Sequence, residues 1–558
     1  MTELDSPGEP NAAPATPRQR RAWFPLVWPI ALFSIWLAAK LTVDDRGLHN
    51  SLLHVAIILT AVGWTLWLLG FSTAPARRRW TLCLLIMGPL CLHYFQLSPL
   101  ELVTDGDVGI VGVRWRWQEP DRDLAPPKTS DSQVTGWQPT ADDYPAFLGG
   151  KYWARVDDPG MSTDWQADPP QQLWKRRIGA GWSAFAVVGP YAVTQEQRGD
   201  EELVTCYEVA TGEPLWTHAN TVRFDPSGGG SLGGVGPRAT PAIHEGRVYA
   251  HGATGIVDCL DATSGQLLWS VNTVEELGAS PLLWGKSTSP VVLGDKLLVS
   301  IGQTAGAQTD DSQRGSLVAF DLQSGEIRWA SGERRCSYAT PVVATFAGVE
   351  QIVVVNEDFI TSHAPDTGQI LWEHPWPGNS DANASNSQPI PVGDDQLFVS
   401  KGYGEGAELI GLSADDDHWS IERVWKRPVM KTKFSNVVVH DGFVYGLDAA
   451  NLQCIELATG KQAWKKRRRP AFGHGQVLQV GEHLLILSES GEVILVALDP
   501  DAYRELSAFP AIDGVTWNNP TLTGDKLLVR NAEWAACYQL PTAGGSAEPS
   551  DAVAAVSR

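Results

Sequence analysis

The stretch VTCYEVATGEPLW (Val204–Trp216) returns four more times along the chain, with its spacing almost unchanged. A catalytic motif usually occurs once, whereas a string that recurs marks a repeated structural unit. The sequence therefore predicts a repeat architecture. The recurrences are IVDCLDATSGQLLW (Ile256–Trp269), LVAFDLQSGEIRW (Leu317–Trp329), TSHAPDTGQILW (Thr361–Trp372) and LQCIELATGKQAW (Leu452–Trp464).

A Thr-Gly or Ser-Gly pair precedes the tryptophan in every copy. Glycine adopts positive φ without steric cost, so the pair predicts a tight turn between two strands. The tryptophan gives the returning strand a large apolar surface. The glycines, each four residues before a tryptophan, are Gly212, Gly265, Gly325, Gly368 and Gly460.

A second signal is a hairpin of β-branched residues around a glycine, which occurs eight times at intervals of 39 to 57 residues. Each unit then holds two hairpins, and a lone four-stranded sheet cannot cover both of its faces. Repeated sheets of this period close radially into a β-propeller, so eight hairpins predict eight blades. The hairpin glycines are Gly189, Gly246, Gly294, Gly348, Gly393, Gly442, Gly481 and Gly524.

Three units depart from the pattern. The fifth has a longer turn and ends on Trp425, and the seventh has Phe509 where tryptophan is expected. The eighth lacks a fourth strand, which we expect QQLWKRR (Gln171–Arg177) to supply through Trp174. Such pairing closes the ring and hides both sheet edges.

The first hundred residues contain three apolar stretches of membrane-spanning length, Trp23–Leu41, Leu52–Phe71 and Trp80–Leu97. A cleaved signal peptide is the alternative for the first stretch. Arginines precede the first and third stretches, so the positive-inside rule places the N-terminus in the cytoplasm. Three crossings then place everything after about residue 100 outside the cytoplasmic membrane, in the periplasm of a bacterium.

The predicted fold is all-β, an eight-bladed β-propeller behind a three-helix transmembrane anchor. Its expected parts are a disordered cytoplasmic N-terminus (1–22), the anchor (23–98), a linker and propeller-docking segment (99–170), the propeller (171–540) and a disordered tail (541–558). Within the linker, the apolar residues of YPAFLGGKYWARV (Tyr144–Val156) are expected to dock on the ring.

The repeat pattern A-x-D-x-x-T-G-x-x-x-W resembles the tryptophan-docking repeat of quinoprotein-type eight-bladed propellers, over about residues 171–540. That group contains the pyrroloquinoline-quinone (PQQ) dehydrogenases and the non-enzymatic BamB-type outer-membrane assembly lipoprotein. The chain is most similar to membrane-anchored PQQ-binding-like repeat proteins of this BamB-like group. The resemblance implies a structural docking role for Trp174, Trp216, Trp269, Trp329, Trp372, Trp425 and Trp464.

For the dehydrogenases, the resemblance implies two adjacent cysteines beside the quinone, a calcium held by carboxylate and amide oxygens, and a catalytic aspartate. The seven cysteines of this chain include no adjacent pair, and no C-x-x-C-H haem motif occurs. Cys206, Cys259, Cys454 and Cys537 fall at one repeat position, where the other units have Ala319, Ser362, Gly411 and Ala497, which indicates a packed strand site. We therefore predict no catalytic residue, cofactor-binding residue or metal ligand, with a PQQ-dependent oxidoreductase as the alternative.

The segments that lead into the innermost strands should line one mouth of the central channel. They collect aromatic, amide and cationic groups, as expected where a polar ligand converges, although such groups also satisfy backbone atoms and waters. The formal charge of −21 argues against a nucleic-acid partner. We predict a non-catalytic scaffold that binds an envelope protein partner or a small polar ligand. Its candidate mouth residues are Trp182, Arg238, Lys286, Tyr338, Asn386, Lys433, His474, Trp517 and Asn518.

Overall fold

The computed structural model of the chain forms two compact units, Met1–Gln118 and Glu119–Arg558. The predicted disordered N-terminus and nearly all of the predicted tail lie outside the described residues. The structure describes residues 24–42, 46–95, 97–104, 106–115, 117–118, 121–122, 124–127, 134, 137–150, 153–226, 233–279, 281–302, 315–379, 381, 383–415 and 418–542.

The first unit contains three helices, α1 (Phe24–Thr42), α2 (Arg46–Gly70) and α3 (Ala76–Tyr94). Neighbouring helices run antiparallel. The indole of Trp64 donates to the Pro25 carbonyl at 2.8 Å, and that of Trp36 donates to the His49 carbonyl at 3.0 Å. A hairpin follows the helices, with strands β1 (Leu100–Thr104) and β2 (Ile110–Trp115).

Two of the three helices, over Pro25–Thr42 and Gly47–Gly70, are long and apolar enough to cross a membrane by length and composition. They correspond to the first two of the three predicted spans, whereas helix α3, at the place of the third, does not meet this criterion. Helix α3 has arginines at 77, 78 and 79 in its first turn and ends at Tyr94, before the predicted Leu97. Its apolar part is therefore shorter than the roughly 20 residues of a typical span.

The second unit is built of eight sheets of four antiparallel strands, one of which carries a fifth strand, β3 (Arg155–Val156). The eight-bladed β-propeller predicted from the hairpin count is confirmed. The strands of the first four sheets are β5 (Ala186–Val188), β6 (Tyr191–Arg198), β7 (Glu201–Glu208) and β8 (Pro214–Asn220); β9 (Ala242–His244), β10 (Arg247–His251), β11 (Ile256–Asp261) and β12 (Leu267–Asn272); β13 (Val291–Leu293), β14 (Lys296–Ser300), β15 (Leu317–Asp321) and β16 (Ile327–Ser331); and β17 (Val342–Phe346), β18 (Val349–Val355), β19 (Phe359–His363) and β20 (Ile370–Pro375).

The remaining four sheets continue the series, and a short helix α4 (Thr273–Leu277) follows β12. Their strands are β21 (Ile390–Val392), β22 (Gln396–Lys401), β23 (Gly406–Asp415) and β24 (His418–Arg427); β25 (Val437–His440), β26 (Phe443–Asp448), β27 (Asn451–Glu456) and β28 (Gln462–Lys466); β29 (Gln476–Val480), β30 (His483–Leu487), β31 (Glu492–Ala497) and β32 (Glu505–Pro510); and β33 (Thr521–Thr523), β34 (Lys526–Arg530), β35 (Trp534–Gln539) and β4 (Gln171–Arg177).

The ring closes through β4, which pairs antiparallel with β35 and places Trp174 opposite Cys537. The last sheet thus takes its outer strand from the beginning of the propeller sequence. The expected pairing of Gln171–Arg177 with the last sheet is therefore observed, and it gives that sheet its fourth strand.

Five of the seven docking tryptophans contact the turn glycine of the next sheet. Gly265 has φ of +71°, and a Cβ added there would lie 2.5 Å from Cε3 of Trp216. The Trp216 indole also donates a hydrogen bond to the Ala262 carbonyl at 2.8 Å. Glycine is therefore needed twice, for the turn and for the indole that covers it. The same contact joins Trp174 to Gly212, Trp269 to Gly325, Trp329 to Gly368 and Trp425 to Gly460.

The docking pattern changes in the fifth and seventh sheets. The longer turn predicted for the fifth sheet is wrong, because β23 and β24 are instead ten residues long each and only two residues separate them. Trp372 packs against this sheet, and its indole donates to Gln351 of its own sheet at 2.7 Å. In the seventh sheet Ser507 occupies the tryptophan position, opposite Leu495. Trp165 from the preceding linker packs there against Phe509, with ring centroids 5.4 Å apart.

The linker also lies along the first strands of several sheets, which are the inner strands of the ring. Tyr144, 1% exposed, exchanges two backbone hydrogen bonds with Val187 of β5. The Pro145 carbonyl accepts from Ile243 of β9, and β3 pairs with β29. Asp143 accepts from the turn amide of Gly189 at 2.8 Å. The segment Tyr144–Val156 therefore sits at the end of the channel that carries the turns between first and second strands.

We expect Gly265→Ala to lower the free energy of unfolding by about 2–4 kcal/mol, since strain at positive φ and displacement of the Trp216 indole both contribute. Gly246→Ala in the same sheet is the matched control. Its φ is +74°, but no atom lies within 4 Å of the added Cβ, so its effect should be about 1 kcal/mol. Chemical denaturation of both variants checks the prediction. Equal losses of unfolding free energy would contradict a stabilising contact between Trp216 and the Gly265 turn.

Candidate binding site at the channel mouth

One face of the propeller carries the segments that lead into the first strands and the turns between the second and third strands. We refer to it as the mouth face. Most predicted site residues lie there at one repeat position, four residues before a first strand. Those at this position are Trp182, Arg238, Tyr338, Asn386, Lys433 and Trp517. Asn518 follows Trp517 directly, His474 precedes β29 by two residues, and Lys286 precedes β13 by five.

Four aromatic rings from four sheets form a continuous row on the mouth face. Ring centroids are 4.6 Å apart for Trp182 and Trp517, 5.0 Å for Trp517 and Phe434, and 5.6 Å for Phe434 and His474. Buried Glu489 fixes the row, because it accepts from the Trp517 indole at 2.7 Å and from the His474 amide at 3.2 Å. We call this set the aromatic row; Phe434 is a member that the sequence analysis did not select.

Further aromatic rings lie beyond the row. The rings of Trp284 and Tyr338 are 5.6 Å apart, and the Lys433 ammonium lies over the Tyr403 ring at 5.8 Å from its centroid. Partly exposed aromatic rings are the groups that most often anchor protein and small-molecule ligands. The mouth face is therefore more aromatic than the predicted residues alone indicated.

Two predicted cations are engaged by the protein itself. The Arg238 guanidinium donates to the carbonyls of Gly233, Gly234 and Gly236. Lys286 is 2% exposed, donates to the Ile301 carbonyl, and has its Nζ 3.7 Å from the Cys336 sulfur. Burial lowers the pKa of Lys286. Lys286 is therefore a buried group rather than part of the mouth lining.

A ring of hydrogen bonds joins neighbouring sheets just inside the mouth. The amide of Ala184 donates to the Thr240 hydroxyl at 3.1 Å, that of Thr240 to Ser289 at 3.0 Å, and that of Ser289 to Thr340 at 2.9 Å. Further round, the amide of Gln388 donates to the Asn436 side chain at 2.9 Å. We call this set, with Gln476, the polar collar.

The polar collar was not among the predicted site residues, although its signal is visible in the sequence. A hydroxyl or amide residue stands directly before the proline of ATP, TSP, ATP and SQP, in the strings that lead into four first strands. Gln476 completes the collar, because its side-chain amide donates to the carbonyls of Phe434 and Trp517, each at 2.8 Å. Because these hydroxyl and amide side chains recur at one repeat position, they connect each sheet to its neighbour.

Several buried amide oxygens beside the collar have no hydrogen-bond partner among the described residues. They are Oε1 of Gln388, Oε1 of Gln476 and Oδ1 of Asn518, and each residue is at most 3% exposed. Asn518 uses its amide group to donate to the Ser183 carbonyl at 2.9 Å. Buried acceptors are normally satisfied, so these atoms are suited to accept from a ligand or water.

Glu202 is the second residue of β7, at the mouth-face end of that strand. Its side chain is 3% exposed and accepts a hydrogen bond from the Ala253 amide at 3.0 Å. Burial raises its pKa from 4.5 to about 7. The folded state therefore favours the protonated carboxyl group of Glu202. The contribution of this group to the free energy of unfolding is fully present below pH 4.5 and is lost as the pH rises towards 7.

We expect Glu202→Gln to raise the free energy of unfolding by about 1–3 kcal/mol at about pH 8 and to flatten its pH dependence below that. Glu201→Gln on the same strand is the control, since Glu201 is partly exposed. Denaturation of the three proteins across this pH range checks the prediction. A Glu202→Gln profile parallel to the parent protein would contradict it.

No group of three His, Cys, Asp or Glu side chains that could hold a metal ion occurs among the residues described above. The cysteines at the repeat position are buried in the sheets, each opposite a docking tryptophan. Burial raises the pKa of the Cys454 and Cys537 thiols to about 12, so both are protonated and unreactive near neutral pH.

The fold and this site define a tryptophan-docked eight-bladed β-propeller with an aromatic channel mouth. The sequence model of the family described as "Outer membrane protein assembly factor BamB" matches residues 152–332 and 200–466, together more than half of the chain. The chain belongs to this family.

Individual relatives include both non-enzymatic and enzymatic proteins. Outer membrane protein assembly factor BamB of Shewanella oneidensis is 23% identical over 326 residues, which cover 56% of this chain and 76% of that protein. The dehydrogenase subunit of the quinone alcohol dehydrogenase of Komagataeibacter europaeus is 29% identical over 134 residues, or 23% of this chain. The match spans only 16% of that dehydrogenase.

Among solved structures, the quinohemoprotein alcohol dehydrogenase from Comamonas testosteroni superimposes with a TM-score of 0.52 and 14% sequence identity. The match covers 71% of this chain and 80% of that enzyme. At this identity the likeness concerns the fold alone, because one fold supports many functions.

Proposed function

We propose that this protein is a non-catalytic scaffold, anchored in a membrane, whose mouth face binds a segment of an envelope protein or a small polar ligand. The observation that carries the proposal is the different character of the two channel ends. One end holds the aromatic row and unpartnered amide oxygens, and the other holds the chain's own segment Tyr144–Val156. A partner should therefore bind at the mouth face.

The mouth residues do not fit a planar, anionic quinone. Trp182 and Trp517 lie against each other, and the Trp517 indole is bonded to Glu489. Of the predicted mouth cations, Arg238 is used by loop carbonyls, Lys286 is buried, and Lys433 lies over the Tyr403 ring. A quinone needs an open aromatic face and cationic partners for its carboxylates.

The membrane part of the proposal includes a third crossing. Helix α3 runs antiparallel beside α2, because Cys83 of α3 contacts the Thr65 carbonyl at 4.0 Å and Arg79 donates to the Leu69 carbonyl at 3.1 Å. Its apolar part, residues 80–94, extends over about 22 Å, and the arginines at 77, 78 and 79 would reach the cytoplasmic surface of a locally thinned bilayer. Three crossings with arginines on the cytoplasmic side place the propeller in the periplasm, at the cytoplasmic membrane.

The proposed partner is a protein of the cell envelope. The relative from Shewanella oneidensis is named an outer membrane protein assembly factor, and partly exposed tryptophans are frequent anchors in protein interfaces. The net charge of −21 makes a nucleic acid an unsuitable partner.

A PQQ-dependent oxidoreductase is the second candidate, favoured by the 29% identity to a quinone alcohol dehydrogenase. Assays of quinone absorbance and dye reduction on the purified full-length protein, supplied with PQQ and Ca²⁺, distinguish the scaffold from the oxidoreductase. We expect no saturable change in quinone absorbance and no dye reduction with alcohols or sugars. Dye reduction that is lost in Trp517→Ala but retained in Trp153→Ala, a variant of an exposed tryptophan, would overturn the scaffold proposal.

A further inference from the structure

The hairpin β1–β2, next to the three helices, has one apolar and one polar face. Residues directly opposite each other share a face, and Leu100 pairs with Trp115 while Leu102 pairs with Val113. On the other face Glu101 opposes Arg114, with their side chains in an ion pair at 2.8 Å, and Val103 opposes Gly112, so the polar pair lies at the open end of the hairpin. The hairpin is therefore amphipathic across its thickness.

The apolar face is open. Val113 is 57% exposed and Trp115 is 44% exposed. Trp117 extends the face beyond the strand, with its ring stacked on that of Trp115 at 4.7 Å and an interplanar angle of 16°. Two-stranded hairpins are marginally stable alone, so such a face requires a covering surface.

The position of the hairpin identifies that surface. Helix α3 ends at Tyr94 and β1 begins at Leu100, so the hairpin follows the helix almost directly. Its turn is fixed to the start of α2, because the Asn50 side chain donates to the Asp107 carbonyl at 3.0 Å. The start of α2 and the end of α3 are the same end of the antiparallel helices. The hairpin therefore lies at the level where the helices leave the membrane.

We propose that the hairpin is a membrane-interface element, with its apolar face among the lipid acyl chains and its Glu101–Arg114 face in water. Stacked tryptophans suit the headgroup region, where an amphipathic ring is partly buried and partly hydrated. The inference rests on the proposed membrane anchor. The kind of partner is a lipid bilayer surface, rather than a second protein strand.

Spin labels on adjacent residues test the proposal in the full-length protein. The parent variant is Cys91→Ser, which removes an exposed cysteine in α3. Labels at Val113→Cys and Arg114→Cys report the two faces of one strand, and Leu66→Cys on α2 reports the anchor. The protein is reconstituted in phosphatidylethanolamine and phosphatidylglycerol vesicles, and collision with oxygen is compared with collision with a water-soluble nickel chelate.

We expect the oxygen-to-nickel ratio at position 113 to be several-fold higher than at 114 and near that at 66. Leu102→Cys, on the same face, replaces Val113→Cys if that variant does not fold. A water-like label at 113 with a lipid-like label at 66 would refute the interface element and leave the anchor intact. Shielding of 113 from both reagents would also refute it, since protein would then cover the face. Water-like labels at both positions would refute the anchor as well.

Discussion

Replacing Arg530 with methionine is expected to lower the free energy of unfolding by about 3–5 kcal/mol, because the substitution breaks a buried ionic cluster at the seam of the ring. Arg530 is fully buried on β34 of the eighth sheet. It donates to the Thr194 hydroxyl at 2.7 Å, to the Gln195 carbonyl at 2.9 Å and to the Gly179 carbonyl at 3.0 Å. These partners belong to the first sheet and to the chain entering it.

The cluster is completed by Glu196, which is also fully buried. Its carboxylate accepts from Arg198 at 3.1 Å and from the Tyr207 hydroxyl at 2.7 Å. Burial alone would raise the pKa of Glu196, but Arg198 and Arg530 outweigh it and lower the pKa below 4.5. Its contribution to stability is therefore present above pH 4.5 and is lost as the pH falls through the lowered value.

The control for Arg530→Met is Arg328→Met. Arg328 pairs with Asp321 but is half exposed, and exposed pairs contribute less than about 1 kcal/mol. Chemical denaturation of the detergent-solubilised proteins, followed by tryptophan fluorescence, measures both. Equal losses in the two variants would show that the seam is not held by this cluster.

Trp216→Ala should lower the free energy of unfolding by about 3–5 kcal/mol, the range for removing a large buried aromatic side chain. Trp216 is 5% exposed and joins the first sheet to the second through Leu260, Ala262 and the Gly265 turn. The control is Trp153→Ala, whose side chain is 40% exposed, so its loss should lower stability by clearly less than the loss of Trp216.

A double-mutant cycle isolates the docking contact itself. In the Trp216→Ala background the indole no longer blocks the turn, so Gly265→Ala should lower stability by only about 1 kcal/mol, as Gly246→Ala does. The two substitutions are thus expected to be non-additive. If Gly265→Ala had the same effect with and without Trp216, the glycine would serve the turn alone.

The fold was predictable because its repeat uses residues with narrow physical requirements. Glycine at positive φ and a tryptophan four residues later mark both the turns and the sheet boundaries. The missing fourth strand of the last sheet pointed to Trp174 at the other end of the sequence. The sequence could not reveal that five of the seven docking tryptophans cover the turn glycine of the following sheet, because that contact joins different repeats.

Predictions failed where the hairpin of the third and fourth strands changed length, through its strands in the fifth sheet and its turn in the seventh, or where a residue was displaced by one position. The fifth and seventh sheets have Leu409 and Leu495, rather than the small residues Gly411 and Ala497, opposite the docking position. Register within a sheet follows the local bulge, which sequence spacing does not show. Lys286, one residue farther from its strand than Arg238, is buried instead of lining the mouth, and the predicted mouth residues Tyr338, His474 and Asn518 are also buried.

Site-specific photo-crosslinking in the intact envelope tests the central claim, that the mouth face binds a partner. A benzophenone amino acid replaces Asn386 or Lys433 on the mouth face, and Glu213 or Asp366 in exposed turns of the opposite face serves as control. We predict one discrete adduct, identical for both mouth positions and absent from both controls. Adducts from the control positions alone, or no adduct from the mouth positions, would contradict the claim.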